Sequence, residues 1–342
     1  MKPEVSERLF IESLFEKSKP KLPEAEELID EKVERLTGDA STRRYYRLET
    51  NKNSYVACID NPSDDNSNTF VRMQEFLEKY KIRVPKIYDR NLKRGYILEE
   101  DLGDVTLLQH LSFLKTEDEE LRIYKEIIDS LVGMHKIPSA EINSSGVFSN
   151  SFDFEKLFSE IRFTTHYFMK IFLGINDERE INKVEESFIP ILKRLAEKKM
   201  VFTHRDFHSR NIMVKNGEFV IIDFQDARWG VPQYDLVSIL EDCYYKIKSN
   251  NKKELVKYYY EQVGEEIHGE KNFVQFMEIY NDMALQRVFK AVGSFSYIYE
   301  TRKDVRYIKY IGFAMEKIKR IMYQDPKYDE LRTILFKHYY ES

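Results

Sequence analysis

Val201-Phe-Thr-His-Arg-Asp-Phe-His-Ser-Arg-Asn211 decides the fold of this chain, together with Phe219-Val-Ile-Ile-Asp-Phe-Gln-Asp226. The first stretch sets an acid, Asp206, five residues ahead of a carboxamide, Asn211. The second is an apolar run that ends in Asp223. Between them lies Asn216-Gly217, the pair favoured in a two-residue hairpin turn because both central positions take positive φ. The turn folds residues 219–223 back along 211–215, which predicts Asp223 beside Asn211. Carboxamide and carboxylate oxygens suit a hard cation such as Mg2+. Asp206 would then stand next to the ion and accept the proton of a substrate hydroxyl. Phosphoryl transfer asks a protein for an aligned nucleophile and neutralised charge, and for little covalent chemistry. Asp206 is therefore the candidate catalytic residue, and Asn211 and Asp223 are the candidate metal ligands. A capped surface loop would account for any one of these residues alone. The ordered set in a strand–turn–strand context favours the functional assignment.

The residues beyond Asp223 narrow the acceptor. Gly230-Val-Pro-Gln-Tyr-Asp235 arrives almost at once, and Leu236-Val-Ser-Ile-Leu240 predicts the start of a helix. Protein kinases need a longer activation segment and an Ala-Pro-Glu element, and neither is visible. A polypeptide substrate has no platform here. The spacing predicts a small molecule in an enclosed cleft.

Composition sets the outer bounds. With 342 residues the chain suits a two-lobed enzyme, and 42% hydrophobic residues suffice for a core. A net charge of −5 provides no global basic field for nucleic acid or an anionic membrane. No 18-residue apolar stretch occurs, and the first residues are charged, so no membrane partner and a cytoplasmic setting are expected. Cys58 and Cys243 lie far apart, in keeping with a reduced compartment and with no metal-ligand spacing.

The periodicities sort into two parts. Leu9, Phe10, Leu14 and Phe15 form a helical stripe, and 24–36 reads as a helix or an extended lead-in. Strands are expected at 43–48, 55–59, from 84 and from 96, with an amphipathic helix over 70–80. Beyond Gly103 the pattern is helical, over about 116–136, 152–173, 179–199, 235–249, 252–264, 271–300 and 307–323. This is an α+β, protein kinase-like two-lobed fold, with a small β-rich N-lobe and a larger, mostly helical C-lobe. The expected boundaries are 1–99 for the N-lobe, 100–104 for a hinge, and 105–342 for the C-lobe carrying the catalytic hairpin. In the N-lobe the small polar turn at 37–42, with Gly38, Asp39 and Ser41, suits a nest of backbone N–H groups around phosphate. Arg43 and Arg44 come directly after it, on opposite faces of a strand. An adenine edge would meet the backbone of Glu99 and Asp101, which leaves those side chains irrelevant to nucleotide affinity. ATP and Mg2+ are the implied cofactors.

Four segments carry a resemblance. They are Gly38-Asp-Ala-Ser-Thr-Arg-Arg-Tyr-Tyr-Arg47, Phe202-Thr-His-Arg-Asp-Phe-His-Ser-Arg-Asn211, Ile222-Asp-Phe-Gln-Asp-Ala227 and Gln286-Arg-Val-Phe-Lys-Ala-Val-Gly-Ser-Phe295. The chain resembles aminoglycoside phosphotransferases and their choline- and sugar-kinase relatives, most of all the bacterial anomeric kinases of N-acetylmuramate and N-acetylglucosamine in cell-wall recycling. The resemblance implies ATP-dependent phosphorylation of an anomeric hydroxyl. It brings His208, Asp235, Gln286, Arg287 and Lys290 forward as substrate-side candidates. Gln286 and Lys290 lie one turn apart on a predicted helix, although a solvated charged face would look the same.

One departure matters. Kinases pair a strand Lys with a helix Glu to order the phosphates, whereas this strand reads Tyr55-Val-Ala-Cys-Ile-Asp60, and Arg72 stands where the helix Glu is expected. Arg43 or Arg44, with a bidentate guanidinium, is the candidate replacement. Two alternatives stay open: an aminoglycoside or choline-type kinase with Glu241, Asp242 and Asp282 as an acidic cleft, and a nucleotide-binding pseudokinase scaffold.

Overall fold

Ile11, Leu14 and Phe15 recur at helical spacing, and α1 (Val5–Ser18) buries all three. In this computed structural model residues 5–23, 27–36 and 43–341 are described. Gly38, Asp39 and Ser41, expected around phosphate, lie outside them. The segment left open as helix or lead-in takes the extended form: β1 (Leu28–Arg35) pairs antiparallel with β2 (Arg44–Thr50). The sheet continues through β3 (Ser54–Ile59), and α2 (Thr69–Lys79) comes next, its N-cap Asn68 accepting from the Val71 N–H. β4 (Ile87–Asn91) and β5 (Tyr96–Glu100) complete a five-stranded antiparallel sheet in the order β1-β2-β3-β5-β4. Gly95 precedes β5 at φ +64°, where a Cβ would lie 1.9 Å from the Asp60 carbonyl oxygen. Only glycine fits there.

Alternation along the strands gives the sheet two distinct faces. Tyr46, Leu48, Tyr55, Ala57, Tyr96 and Leu98 join Ile11, Leu14 and Phe15 in one core. Each of the Leu, Ile and Phe side chains contributes about 1.5–3 kcal/mol by leaving water. The other face carries Tyr45, Cys58 and Glu99, with Arg43 at its end.

The remainder is mostly helical. α3 (Leu107–Leu111), α4 (Glu117–His135) and α5 (Ser139–Ser145) lead to α6 (Phe154–Thr164), which continues into a π-helical turn at Thr165–Phe172, and to α7 (Glu178–Ala196). A capping box between Thr116 and Glu119 starts α4. β6 (Val201–Thr203) precedes the hairpin of β7 (Ile212–Lys215) and β8 (Glu218–Ile221). The hairpin register runs from Ile212↔Ile221 to Lys215↔Glu218, and Asn216 and Gly217 take φ of 52° and 83° in the turn. β9 (Arg228–Gly230) pairs with β6, and α8 (Gln233–Leu240), α9 (Ser249–Val263), α10 (Glu265–His268), α11 (Phe273–Arg302), α12 (Ile308–Met322) and α13 (Asp329–Glu341) complete the chain. The helix expected over 235–249 stops at Leu240, where the Asp242 carboxylate takes the Tyr244 N–H and turns the chain. α11 is buried without interruption from Asp282 to Phe289. Gly293 lets it approach α6 closely, since a Cβ there would meet Thr164 Oγ1 at 2.4 Å.

By contacts the chain forms two units, Met1–Leu107 with Ile212–Gln225, and Leu108–Asn211 with Asp226–Ser342. The hairpin therefore groups with the sheet. The Val214 N–H donates to the Val105 carbonyl and the Ile221 N–H to that of Arg83, at 2.8 and 2.9 Å. Arg83 and Lys215 both meet Glu100. Among the described residues no helix is long and apolar enough to cross a membrane.

Candidate active site

In the second unit, β6 delivers the chain into the loop His204–Asn211, and two buried carboxylates hold that loop. Asp235 accepts from the backbone N–H groups of His204 and Arg205 at 2.6 and 3.0 Å. His135 Nε2 lies 3.5 Å from Asp235, and its Nδ1 is 2.6 Å from the Tyr259 hydroxyl. Asp242 accepts from the Ser209 N–H at 2.9 Å and from its hydroxyl. This clamp sustains a strained backbone: Arg205 sits at φ +81°, a conformation that persists for a non-glycine residue only when its surroundings over-determine it. Asn211 Nδ2 donates to the Asp206 carbonyl at 3.0 Å, which fixes which end of the amide serves as donor.

The loop presents the Asp206 carboxylate between two cations on α11. Arg287 Nη2 is 3.4 Å away and Lys290 Nζ 3.8 Å. Arg205 Nε is 3.6 Å from its other oxygen. Burial alone would raise the Asp206 carboxyl, but Lys290, Arg287 and Arg205 outweigh it and hold it well below the usual carboxylate range. Burial in turn lowers Lys290, against the pull of Asp206. Burial also lowers His208, despite Asp242 and Asp206, so its imidazole is neutral at pH 7. Asp206, His208, Arg287 and Lys290 line a cavity of about 140 Å3 with Ser238, Tyr244 and Phe295. Arg287 is steadied from behind by the Ser238 hydroxyl at 3.1 Å and by the ring of Tyr234.

The first unit carries the other candidates. Asp223 lies just past β8 at φ +64° and accepts from Gln225 Nε2 at 2.8 Å. The next residue, Phe224, stacks on Phe70 of α2 with centroids 5.1 Å apart. Arg43 lies over that same Phe70 ring and pairs with Asp60 at 2.8 Å. It thus occupies the end of β3 where the strand Lys is missing. Asp101 takes Arg47 Nε at 2.7 Å and the Gly103 N–H at 2.9 Å, which fixes the chain leaving the sheet.

Several expectations need correction. Asp235, expected on the substrate side, is fully buried and its carboxylate is taken up by the loop N–H groups. Gln286 is also fully buried and donates to Glu160 at 3.0 Å, so it does not share the cavity with Lys290. Arg44 points to the opposite side of the sheet from Arg43 and pairs with Glu7 of α1 at 2.8 Å. Arg72, at the position of the helix Glu, donates to the Asn66 carbonyl at 3.0 Å. Of the acids offered for a cationic cleft, Glu241 and Asp242 do line this cavity, but all three are already engaged. Glu241 is neutralised by Lys252, Lys317 and Arg320, Asp282 by Arg194 and Lys327, and Asp242 is spent on Ser209. Asp206, His208, Arg287 and Lys290 do meet in one cavity. The clamping role of Asp242 was missed, because it lies beyond the end of α8, where no helical spacing relates it to Asp235.

The sequence matches the family model described as "Phosphotransferase enzyme family" (APH) over residues 32–266. It is 28% identical over 289 residues to the N-acetylmuramate/N-acetylglucosamine kinase of Neisseria meningitidis serogroup B, covering 83% of each chain. It is 26% identical over 301 residues to the enzyme of that name from Pseudomonas aeruginosa, covering 87% of this chain and 86% of the other. In structure it is similar to aminoglycoside phosphotransferase APH(2'')-IIa in its gentamicin complex, with a TM-score of 0.59, 18% identity and coverage of 90% and 97%. It is also similar to choline kinase LicA from Streptococcus pneumoniae, with a TM-score of 0.56, 15% identity and coverage of 90% and 99%. With an ionised aspartate held between cations on the loop, and the family model spanning more than half its length, the chain belongs to the APH phosphotransferase family and is a phosphotransferase.

Proposed function

We propose that the protein transfers the γ-phosphoryl group of ATP to the anomeric hydroxyl of N-acetylmuramate or N-acetylglucosamine, giving the sugar 1-phosphate in the cytoplasm during cell-wall recycling. The observation that carries this assignment is the pairing of Asp206 with Arg287 and Lys290 in one cavity. A cationic acceptor such as an aminoglycoside or choline would meet those two cations, and the other acids lining the cavity are engaged, Glu241 with Lys252, Lys317 and Arg320 and Asp242 with Ser209 and Tyr244. A neutral or anionic amino sugar suits the two cations, and Lys290 and Arg287 are placed to meet a lactyl carboxylate. The names of the curated relatives support the same acceptor class.

Asp206 orients the attacking hydroxyl, and its low basicity makes that role positional more than proton-abstracting. An anomeric hydroxyl is more acidic than an ordinary alcohol, which lightens the demand on the base. Arg287 and Lys290 keep the carboxylate ionised and counter negative charge as it develops on the acceptor side. Arg43 is assigned to the phosphates in place of the strand Lys. Asn211 and Asp223 are assigned to magnesium, and their carboxamide and carboxylate oxygens are the hard donors this ion takes. Magnesium, when bound, neutralises and orients the β- and γ-phosphate oxygens.

The test is coupled ADP release with ATP and Mg2+, offering N-acetylmuramate, N-acetylglucosamine, kanamycin and choline in turn. Turnover on the acetylated sugars alone, with an acid-labile product, is expected. Asp206→Asn should lower kcat by roughly 10²–10⁴-fold. Turnover on kanamycin or choline would transfer the protein to the other acceptor class. ATP binding without any turnover would leave a pseudokinase scaffold.

A further inference from the structure

We propose that the Glu99 carboxyl group reads the nucleobase, presenting one acceptor and one donor to the N6–N7 edge of adenine, and so selects adenine over guanine nucleotides. This rests on the nucleotide-dependent transfer proposed above and assigns to a side chain what the sequence assigned to backbone alone.

The placement comes from the sheet. Glu99 pairs with Val56 across β3 and β5, on the face opposite the core that α1 covers. The same face carries Tyr45 and Cys58, paired across β2 and β3, and ends at the Arg43–Asp60 pair. Arg43 lies on Phe70, and Phe70 stacks on Phe224, the residue after Asp223. Glu99 therefore shares the sheet face that ends at Arg43, and Arg43 reaches through the Phe70 ring to Phe224, next to the candidate metal ligand.

Glu99 is also an anomaly in its own strand. Its neighbours are saturated: Glu100 has Arg83, Lys215 and the Lys86 N–H, and Asp101 has Arg47 and the Gly103 N–H. Glu99 is just 6% exposed, and its Oε1 has no hydrogen-bond partner among the described residues. A buried polar atom left unsatisfied costs about 1–3 kcal/mol, so its retention asks for a ligand. The groups facing it add no strong field. Burial pushes its pKa up and Arg43 pulls it down, with a result of about 8. Burial holds Tyr45 and Cys58 neutral as well. At pH 7 Glu99 is thus an uncharged acid, with a carbonyl oxygen and an O–H side by side.

That pair is the complement of adenine, whose N6 amine donates and whose N7 accepts. Guanine offers two acceptors, O6 and N7, and so opposes the carbonyl oxygen. Gln and Asn use the same donor–acceptor pair to read adenine in DNA, which makes Gln the conservative replacement for a neutral Glu99.

The experiment is calorimetric titration of the full chain with ADP and with GDP, for wild type, Glu99→Gln and Glu99→Leu, with thermal unfolding to verify that each is folded. Wild type should prefer ADP by roughly 10- to 100-fold. Glu99→Gln should keep that preference, and Glu99→Leu should reduce it to near unity. An unchanged preference in Glu99→Leu, its loss in Glu99→Gln, or no preference in wild type would overturn the proposal. Failure of wild type to bind either nucleotide would instead overturn the phosphotransfer reading on which it rests.

Discussion

The loop after β6 and the end of β5 each depend on three carboxyl groups, and they treat them differently. Around the loop, Asp206, Asp235 and Asp242 each meet donors or cations: Arg287 and Lys290, two backbone N–H groups, and Ser209. At the end of β5, Glu100 and Asp101 are paired with arginines, while Glu99 beside them has an oxygen with nothing to bond among the described residues. Burial does not separate the cases, because Asp235 is more deeply buried than Glu99. The supply of donors does. At Asp206, where Lys290, Arg287 and Arg205 converge, the cations outweigh burial and the carboxylate keeps its charge. At Glu99 burial outweighs the pull of Arg43, and the group takes up a proton.

The largest effect expected from breaking this contrast is at Asp235. Asp235→Ala leaves two loop N–H groups buried without an acceptor and releases Arg205 from its strained φ. A loss of ~3–5 kcal/mol is expected in urea denaturation, the range for removing one partner from a buried charged contact. Asp235→Asn retains one acceptor oxygen and should lose less. Equal stability of the Ala variant and wild type would show that the clamp does not hold the loop.

Glu99 and Glu100 sharpen the contrast within one strand. Glu99 titrates at about 8 in the fold against an ordinary 4.5, so the native state holds a proton that the unfolded chain releases. Its stability contribution falls as pH rises from 4.5 through 8. Hydrogen bonds and charge from Arg83 and Lys215 offset burial and pull Glu100 down to about 2, so its contribution is present above 4.5 and lost as pH falls through 2. Glu99→Gln should therefore gain stability relative to wild type as pH rises from about 5 to about 8. Glu100→Gln should lose it at about pH 7 and converge with wild type in strong acid. Parallel curves for the two variants across that range would refute the assignment of opposite charge states.

How far the sequence reached depends on the same distinction. The hairpin was legible because Asn216-Gly217 prescribes its own turn, and Asp206 stood out as a candidate because its spacing from Asn211 and Asp223 is a local pattern. Arg43 and Arg44 were legible as a pair on opposite faces, but strand alternation does not say which face is which. Asp235 and Gln286 were misplaced because a polar residue on a helix looks solvent- or substrate-facing until the whole helix is known to be buried. α11 has no exposed stripe from Asp282 to Phe289, so its periodicity carries no direction there. The Glu99 anomaly is invisible in sequence, since it arises from what the neighbouring strands fail to supply.

The two cations on α11 test how Asp206 keeps its charge. Arg287→Ala or Lys290→Ala removes a group that holds the Asp206 carboxyl down, so its pKa rises toward the ordinary value. The ionised form is the active one, so the acid limb of kcat/KM for the sugar should move to higher pH by ~1 unit. With the acceptor-side role proposed for these residues, the same variants should raise the KM for N-acetylmuramate more than that for N-acetylglucosamine. An unmoved acid limb would mean that Asp206 is not the group whose ionisation limits the rate.

The smallest effect separates Arg44 from its neighbour. Arg43 and Arg44 are adjacent and chemically identical, yet one lies on the face shared with Glu99, against Asp60 and Phe70, and the other pairs with Glu7 across the α1 side. Arg43→Ala should raise the KM for ATP about tenfold, the loss expected for one charge-assisted contact to phosphate. Arg44→Ala should leave that KM unchanged and reduce stability by less than ~1 kcal/mol, because the Arg44–Glu7 pair is half-exposed and screened. A rise in the KM for ATP in the Arg44 variant would place nucleotide phosphate on the wrong side of the sheet. It would also remove the reason for assigning Glu99 to the base, since both assignments depend on one face of the five strands serving the nucleotide while the other serves the core.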